Sequence, residues 1–225
     1  MFNFRLNLDT IKGVVFDCYD TLIEISTDEE SIATYELVST WLLYQGVRIS
    51  PDRLHKTYRQ MVQESLNRSR ERYPEIRIEK IFSDICRDYR LWEIDEQQLG
   101  VQVARLFRAA SLRRLRSIRQ SERLLEVFSG LPKGLVSNGQ RVFSEMELRA
   151  LSLLDHFDAV IFSSDEGCKK PSPRIFQSAL KQLGLSPGEV LVIGDSFEND
   201  IIPALKLGMQ ALFVEDAWKY FGIRK

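Results

Sequence analysis

The chain has 225 residues, 44% of them apolar, and a formal net charge of -1 at pH 7. This apolar content suffices for a packed core, and the near-neutral charge excludes the global positive field that favours nucleic acids or anionic membranes. No apolar run approaches the roughly 20 residues of a membrane-spanning helix, and residues 1–10 lack the apolar core of a signal peptide. The three cysteines form no CxxC pair, so neither a disulfide framework nor a zinc site is indicated, and we expect a reduced, cytoplasmic setting.

The first predicted element is a strand over residues 11–16, an apolar run that stops abruptly at Asp17. In open α/β sheets the carboxyl ends of buried strands carry the chemistry, so Asp17 is a candidate catalytic residue. From there to Gly134 the sequence contains no convincing strand.

Four helices are predicted in that stretch. Three of their starts are marked, by a capping box at residues 27–30, by the Ser-Pro pair at 50–51 and by Asp95. The predicted helices cover residues 32–44, 51–69, 78–91 and 95–110. A run of arginines between Arg105 and Arg123 is interpreted as a solvated helix-and-linker surface, with a basic rim that attracts anionic substrates as the alternative.

Four short apolar runs rich in branched side chains follow, as expected for strands that are buried on both faces. They cover residues 134–137, 159–162, 190–193 and 211–214. Helical segments separate them, which predicts βαβ units. With the first strand they predict an α/β fold whose core is a Rossmann-like parallel sheet of five strands, with an all-helical insertion after strand one.

Polar residues follow the predicted strands at several points. Ser137 ends the second strand, Lys170 precedes a helix, and Asp195 and Asp200 follow the fourth strand. Together with Asp17, these residues are expected on loops at one edge of the sheet. Carboxylates from separate strand ends suit a hard cation such as Mg²⁺, and a lysine there supplies a fixed positive charge. Each motif alone is compatible with turn chemistry, but their order at parallel strand ends predicts a functional site.

In this order the four motifs resemble those of the haloacid dehalogenase-like hydrolase superfamily, and the resemblance covers essentially the whole chain. It implies that Asp17 is the nucleophile and that Thr21 supports its loop. Ser137 and Asn138 match the motif that binds the phosphate or the substrate. Lys170 matches the lysine that steadies the nucleophile and the transferred group.

The same resemblance implies a Mg²⁺ site. Asp195 matches the metal ligand, and Asp200 lies beside it as a further ligand or an outer acceptor. The nucleophile Asp17 and the backbone carbonyl of Tyr19 are the other expected ligands. A shared cation would also explain why three carboxylates converge despite their mutual repulsion.

Two domains are expected from the resemblance and from the placement of the helices. Residues 1–23 and 113–225 form the α/β catalytic core, and residues 24–112 form an all-helical cap. A mobile cap of this kind excludes bulk water from the sheet edge.

Tyr19 departs from the phosphatases of this family, which carry an aspartate two residues after the nucleophile to protonate the leaving oxygen. Losing such a group costs roughly 10²–10⁴ in rate, and a phenol with an ordinary pKa of about 10 is a poor base at neutral pH. Tyrosine here, in an Asp-x-Tyr-x-Thr-Leu pattern, is what 2-haloacid dehalogenases have. Those enzymes, however, replace the acidic motif of Asp195 with a Ser-Asn type and carry a halide-binding arginine early in the cap, which residues 27–45 lack.

The acidic residues favour a Mg²⁺-dependent phosphatase that acts on a small phosphorylated metabolite through an aspartyl-phosphate intermediate, with Tyr19 retained as a candidate catalytic residue. The expected partner is a small anionic phosphomonoester, and neither nucleic acid nor membrane. Two alternatives stay open. One is a 2-haloacid dehalogenase-like C–X hydrolase, which Tyr19 favours, and the other is a catalytically weak member that acts by binding or regulation.

Overall fold

A parallel sheet forms the centre of the computed structural model, which describes residues 6–224. The described residues form seven strands: β1 (Gly13–Phe16), β2 (Ile23–Thr27), β3 (Leu112–Ser117), β4 (Lys133–Ser137), β5 (Ala159–Phe162), β6 (Val190–Gly194) and β7 (Gln210–Phe213). Five of them form the sheet in the order β5-β4-β1-β6-β7, and every neighbouring pair is parallel. The predicted five-stranded α/β fold is confirmed.

Helices surround the sheet and fill the gap between β2 and β3. The described helices are α1 (Ile32–Tyr44), α2 (Pro51–Arg68), α3 (Ile78–Asp88), α4 (Glu96–Ser111), α5 (Arg119–Val127), α6 (Arg141–Ala150), α7 (Ser163–Glu166), α8 (Pro173–Leu183), α9 (Ile202–Lys206) and α10 (Val214–Tyr220). Among them, no helix combines the length and the apolarity that crossing a bilayer requires. We call residues 28–111, which carry α1 to α4, the helical insertion.

The predicted helix starts are confirmed for α1 to α4 to within one residue, but not all of the predicted caps are. Ser50 accepts a hydrogen bond from the Arg53 N–H at 3.4 Å, and Asp95 accepts one from the Gln98 N–H at 2.9 Å. The capping box predicted at residues 27–30 is wrong. Ser31 is the N-cap of α1, because residue 27 is still paired within β2.

The prediction that no strand lies between β1 and β4 is also wrong. β2 and β3 form a separate antiparallel ribbon in which Ile25 lies opposite Leu115. The ribbon was missed because β3 has the sequence LRRLRS, whose arginines are typical of a linker. In the structure, Arg114 and Arg116 both form ion pairs with Glu24 across the ribbon, so these charges lie on its solvent face. The chain therefore enters and leaves the helical insertion through one paired ribbon.

The helical insertion has its own buried cluster, which continues into the rest of the molecule. Tyr58 stacks on Phe82 with ring centroids 5.1 Å apart, and Phe107 packs against both rings. Val142 and Phe143 of α6 belong to the same buried cluster. Helix α6 is therefore one surface on which the helical insertion packs.

Candidate active site

The central strand β1 delivers Asp17 to the carboxyl edge of the sheet. Phe16, the last residue of β1, pairs with Leu135 of β4 and with Ile193 of β6. The Asp17 N–H continues this pattern and donates to the Ile193 carbonyl at 2.9 Å. Because the neighbouring strands end at the same level, the loops after β4 and β6 meet Asp17 at this edge, as predicted.

Lys170 connects two carboxylates in the interior of the site. Its ammonium donates to Oδ1 of Asp17 at 2.5 Å, to Oδ1 of Asp200 at 2.7 Å and to the Val136 carbonyl at 3.0 Å. The Lys170 side chain is 3% exposed. Burial alone would lower the pKa of Lys170, but the Asp17 and Asp200 carboxylates outweigh it and raise that pKa above its usual range. Lys170 is therefore a permanent cation beside Asp17.

Asn138 fixes the backbone of Lys170. Its Oδ1 accepts from the Lys170 N–H at 2.6 Å, and its Nδ2 donates to the Lys170 carbonyl at 3.2 Å. Its neighbour Ser137 is fully buried, and its Oγ has no hydrogen-bond partner among residues 6–224. A buried hydroxyl without a partner is costly, so a hydrogen bond between Ser137 Oγ and a bound group would be favourable.

Three carboxylates converge at the open side of Lys170. Asp17, Asp195 and Asp200 each offer one oxygen, and these oxygens lie within 4.8 Å of one another. Asp17 and Asp200 are buried, whereas Asp195 is partly open to solvent. Partial burial raises the pKa of Asp195 to about 6, and the charges of Asp17 and Asp200 add to this rise.

Two further contacts hold these carboxylates in place. Thr21 Oγ1 donates to Oδ1 of Asp195 at 3.3 Å, and the Ser196 N–H donates to Oδ2 of Asp200 at 3.0 Å. Gly194 is required here, because a Cβ at that position would lie 2.5 Å from Cγ of Asp200. Oxygen ligands on separate loops, with a repulsion that a cation would relieve, fit the predicted divalent metal.

Tyr19 lies beside the site, but its hydroxyl is hydrogen-bonded to helix α6 and not to the acidic residues. The phenol donates to Oε2 of Glu147 at 2.6 Å and lies 2.7 Å from Oγ of Ser144, both on α6. Burial raises the pKa of the Tyr19 phenol well above its usual value, and the Glu147 charge adds to the rise. The hydroxyl therefore stays protonated and donates to Glu147.

The partners of Tyr19 were missed by the sequence analysis. Arg108 of α4 donates from Nε to Oε1 of Glu147 at 2.7 Å, so Glu147 joins Tyr19 to the helical insertion. The interpretation of the arginine run as solvated surface is wrong for Arg108, whose side chain is 17% exposed, although it holds for exposed neighbours such as Arg105 and Arg113. The sequence signal for this contact is Glu147 itself. A charged residue beside Leu148 on the buried face of α6 indicates a buried carboxylate that needs a partner.

Comparisons with known proteins agree with the geometry. A family model described as haloacid dehalogenase-like hydrolase matches residues 11–208. A glyceraldehyde 3-phosphate phosphatase of Methanothermobacter thermautotrophicus is 35% identical over 85 residues, which make up 38% of each chain. The chain thus matches little more than a third of the length of that curated relative.

Solved structures share the fold over most of the chain. The phosphatase structure from Thermococcus onnurineus has a TM-score of 0.54 at 25% identity, and the match covers 90% of this chain and 86% of the other. A 2-haloacid dehalogenase from Pseudomonas syringae has a TM-score of 0.61 at 22% identity with the same coverage, which shows a common fold alone.

Proposed function

The chain belongs to the haloacid dehalogenase-like hydrolases, and on this premise we propose that it is a Mg²⁺-dependent phosphatase of small phosphorylated metabolites. The observation that carries the proposal is the convergence of Asp17, Asp195 and Asp200 at one site. The buried Lys170 pairs with two of these carboxylates. The partial likeness to a phosphatase of a small phosphorylated metabolite supports the same substrate class.

In the proposed reaction Asp17 is the nucleophile. Its carboxylate attacks the phosphorus, the bond to the ester oxygen breaks, and an aspartyl-phosphate forms; water then attacks this intermediate, releases inorganic phosphate and restores Asp17. Lys170 lowers the repulsion between the carboxylate and the incoming phosphate and stabilises charge on the equatorial oxygens. The unpartnered Ser137 Oγ offers a hydrogen bond to one of those oxygens.

The acidic residues fit the metal that the family uses. Asp17, Asp195 and Asp200, with the Tyr19 carbonyl, are the groups that we propose hold Mg²⁺. When bound, the ion supplies further neutralisation of charge between nucleophile and phosphate. Thr21 and the Ser196 N–H keep two of these carboxylates in place.

The leaving group receives no obvious help from Tyr19. Its hydroxyl donates to Glu147, and its raised pKa makes it a weak acid. We therefore propose a phosphatase that is slow on esters with poor leaving groups and faster on those that leave without protonation. General acid catalysis, which this position does not supply, is worth roughly 10²–10⁴ in rate.

We further propose that residues 24–112 act as a cap over a core formed by residues 1–23 and 113–225. The contact of α4 with α6, next to Tyr19, supports this role, because it brings the helical insertion to the rim of the site.

A dehalogenase-like C–X hydrolase is the second candidate, and the tyrosine at position 19 is the observation that favours it. Displacement of halide from carbon needs neither a proton donor nor a metal, so Asp195 and Asp200 would have no use in that reaction. A weak or inactive member that binds an anionic ligand is the third candidate.

One screen separates the three candidates. Phosphate release from aryl and sugar phosphates and halide release from 2-haloacids are measured side by side, with MgCl₂ or with EDTA, and Asp17→Asn is the control. Phosphate release that requires Mg²⁺ and Asp17 supports the proposal. Halide release that is indifferent to EDTA overturns it in favour of the dehalogenase. Mg²⁺ binding without turnover of either class indicates the binding protein.

A further inference from the structure

We infer that Glu147 is a positioning residue, which holds the Tyr19 side chain beside the nucleophile loop and ties it to the helical insertion through Arg108. The inference deepens the proposed phosphatase and rests on it for its kinetic test. It concerns a residue of α6 that lies outside the four motifs of the family.

Glu147 is buried and fully engaged. It is 5% exposed, and each of its two oxygens has a different partner: Oε2 accepts from the Tyr19 phenol at 2.6 Å and Oε1 accepts from Arg108 Nε at 2.7 Å. A buried carboxylate is tolerated only when it is paired and hydrogen-bonded, so the pairs on both sides are needed. Displacing either Tyr19 or Arg108 would leave one buried oxygen of Glu147 without its hydrogen bond.

Arg108 has two further contacts, one within the helical insertion and one with α6. Its Nη1 donates to Oε1 of Glu29 at 2.8 Å, and its guanidinium lies 4.8 Å from the ring centre of Phe143. Arginine suits this place because its planar fork can serve Glu29 and Glu147 at once. The chain of contacts therefore runs from the start of the helical insertion, through Glu147, to the residue two positions after the nucleophile.

The Tyr19 ring in turn borders the loop that follows β4. A Cβ placed on Gly139 would lie 3.3 Å from Cε2 of Tyr19 and 3.0 Å from Oγ of Ser137, and it would overlap Oγ of Ser144. The Tyr19 ring and the Ser137 hydroxyl therefore both pack against Gly139. A shift of the Tyr19 ring would change the environment of the group that we expect to meet the substrate phosphate.

The helical insertion has a second attachment that does not involve Tyr19, and it provides a matched control. Glu75 accepts from Ser163 Oγ at 2.9 Å and from Gln140 Nε2 at 3.2 Å. Glu75→Gln therefore weakens docking of the helical insertion. Glu147→Gln also weakens docking, and because its amide has only one acceptor oxygen, it can no longer accept from both Tyr19 and Arg108. A difference between the two variants isolates the part that acts through Tyr19.

The kinetic test is a double-mutant cycle on p-nitrophenyl phosphate with MgCl₂. Glu147→Gln and Tyr19→Phe are each expected to lower kcat about tenfold, since small misplacements near reacting groups are costly, and to leave KM nearly unchanged. If Glu147 acts through Tyr19, the double variant is no slower than either single variant, and Glu75→Gln keeps the wild-type kcat. Multiplied losses in the double variant, or an equal loss in Glu75→Gln, would show a merely structural role and overturn the inference.

A second readout does not depend on turnover. Amide hydrogen exchange is compared in the segments 17–23 and 102–111 for the wild type, Glu147→Gln and Glu75→Gln. Faster exchange of segment 17–23 in Glu147→Gln alone supports the inference, and unchanged exchange there contradicts it. A wild type that releases no phosphate sinks the proposed function, while this comparison still decides the role of Glu147. Should Glu147→Gln fail to fold, Glu147→Asp, whose shorter side chain keeps the charge but cannot span both Tyr19 and Arg108, takes its place in both measurements, with the same outcomes deciding.

Discussion

Lys170 Nζ lies 2.5 Å from Oδ1 of Asp17, a buried contact between side chains that are 153 positions apart in the chain. The same ammonium also binds Asp200, so one cation balances two buried carboxylates. This arrangement means that two buried carboxylates, one of them the proposed nucleophile, depend on a single side chain for their counter-charge.

Lys170→Met is therefore expected to damage both stability and activity. The substitution leaves Asp17 and Asp200 buried without a counter-charge, which costs about 3–5 kcal/mol in the free energy of unfolding. Phosphate release should fall by about 10²–10³, the usual effect of removing one stabilising group from a reacting centre. Urea unfolding and steady-state kinetics measure the two effects.

Lys169→Met is the matched control, because Lys169 is the exposed neighbour of Lys170. It should leave both quantities near those of the wild type. A Lys170→Met protein as stable as the Lys169→Met protein would contradict the pairing of Lys170 with the two carboxylates.

Asp17→Asn is expected to abolish phosphate release without unfolding the protein. An amide of the same shape cannot attack phosphorus, but Lys170 keeps Asp200 as its partner. Circular dichroism should therefore match that of the wild type while activity falls to background. Activity that survives this substitution would sink the assignment of Asp17 as nucleophile.

Tyr19→Asp tests the missing proton donor. An aspartate at this position should raise the rate on alkyl phosphates, whose leaving groups need protonation, by up to about 10²-fold relative to Tyr19→Ala. Tyr19→Ala is the reference because both variants lose the hydrogen bond to Glu147. The measurement is kcat/KM on alkyl and aryl phosphates. Equal rates for the two variants on alkyl phosphates would show that position 19 does not reach the leaving group.

The sheet and the four motifs were predictable because their signals are local. Strands buried on both faces are apolar runs, and a polar residue directly after such a run marks the carboxyl edge. Asp17 and Asp195 could be placed there before any contact was known. The β2–β3 ribbon could not be, because each strand is half exposed, and charged residues such as Arg114 gain their partner only after pairing.

The surroundings of Tyr19 were not predictable for a related reason. Ser144 and Glu147 lie 125 and 128 positions away in the chain, and nothing in their local sequence marks them as partners of a phenol. Arg108 was hidden among exposed arginines, from which only its packing on α6 distinguishes it. Long-range polar contacts of this kind depend on how helices pack, and no local pattern in a single sequence indicates which helices will meet.

Asp195 makes the stability of the metal-free protein depend on pH. Its pKa of about 6 is raised by partial burial and by Asp17 and Asp200, so between roughly pH 4 and 6 the folded chain binds a proton that the unfolded chain does not. The contribution of this group to stability therefore falls as the pH rises through that window. Asp195→Asn should raise the free energy of unfolding at pH 7 by about 1 kcal/mol, a figure reduced because the side chain is open to solvent.

Thermal unfolding in EDTA at pH 4.5 and pH 7 checks this prediction. The two proteins should differ more at pH 7 than at pH 4.5. Millimolar MgCl₂ should then stabilise the wild type more than Asp195→Asn, because a ligand that binds only the folded state stabilises it. The proposed metal site would be contradicted by equal stabilisation of both proteins.

Gly139→Ala tests the close packing between Tyr19 and the loop after β4. The added methyl group would overlap Oγ of Ser144 and lie 3.0 Å from Oγ of Ser137, so one of these groups or the Tyr19 ring must move. Overpacking of this kind costs about 1–3 kcal/mol in the free energy of unfolding, and kcat should fall with it. Gly130→Ala is the control, since a Cβ there has no atom within 4 Å. Urea unfolding and kinetics on p-nitrophenyl phosphate measure both effects, and a Gly139→Ala protein that behaves like Gly130→Ala would show that the site tolerates movement of Tyr19.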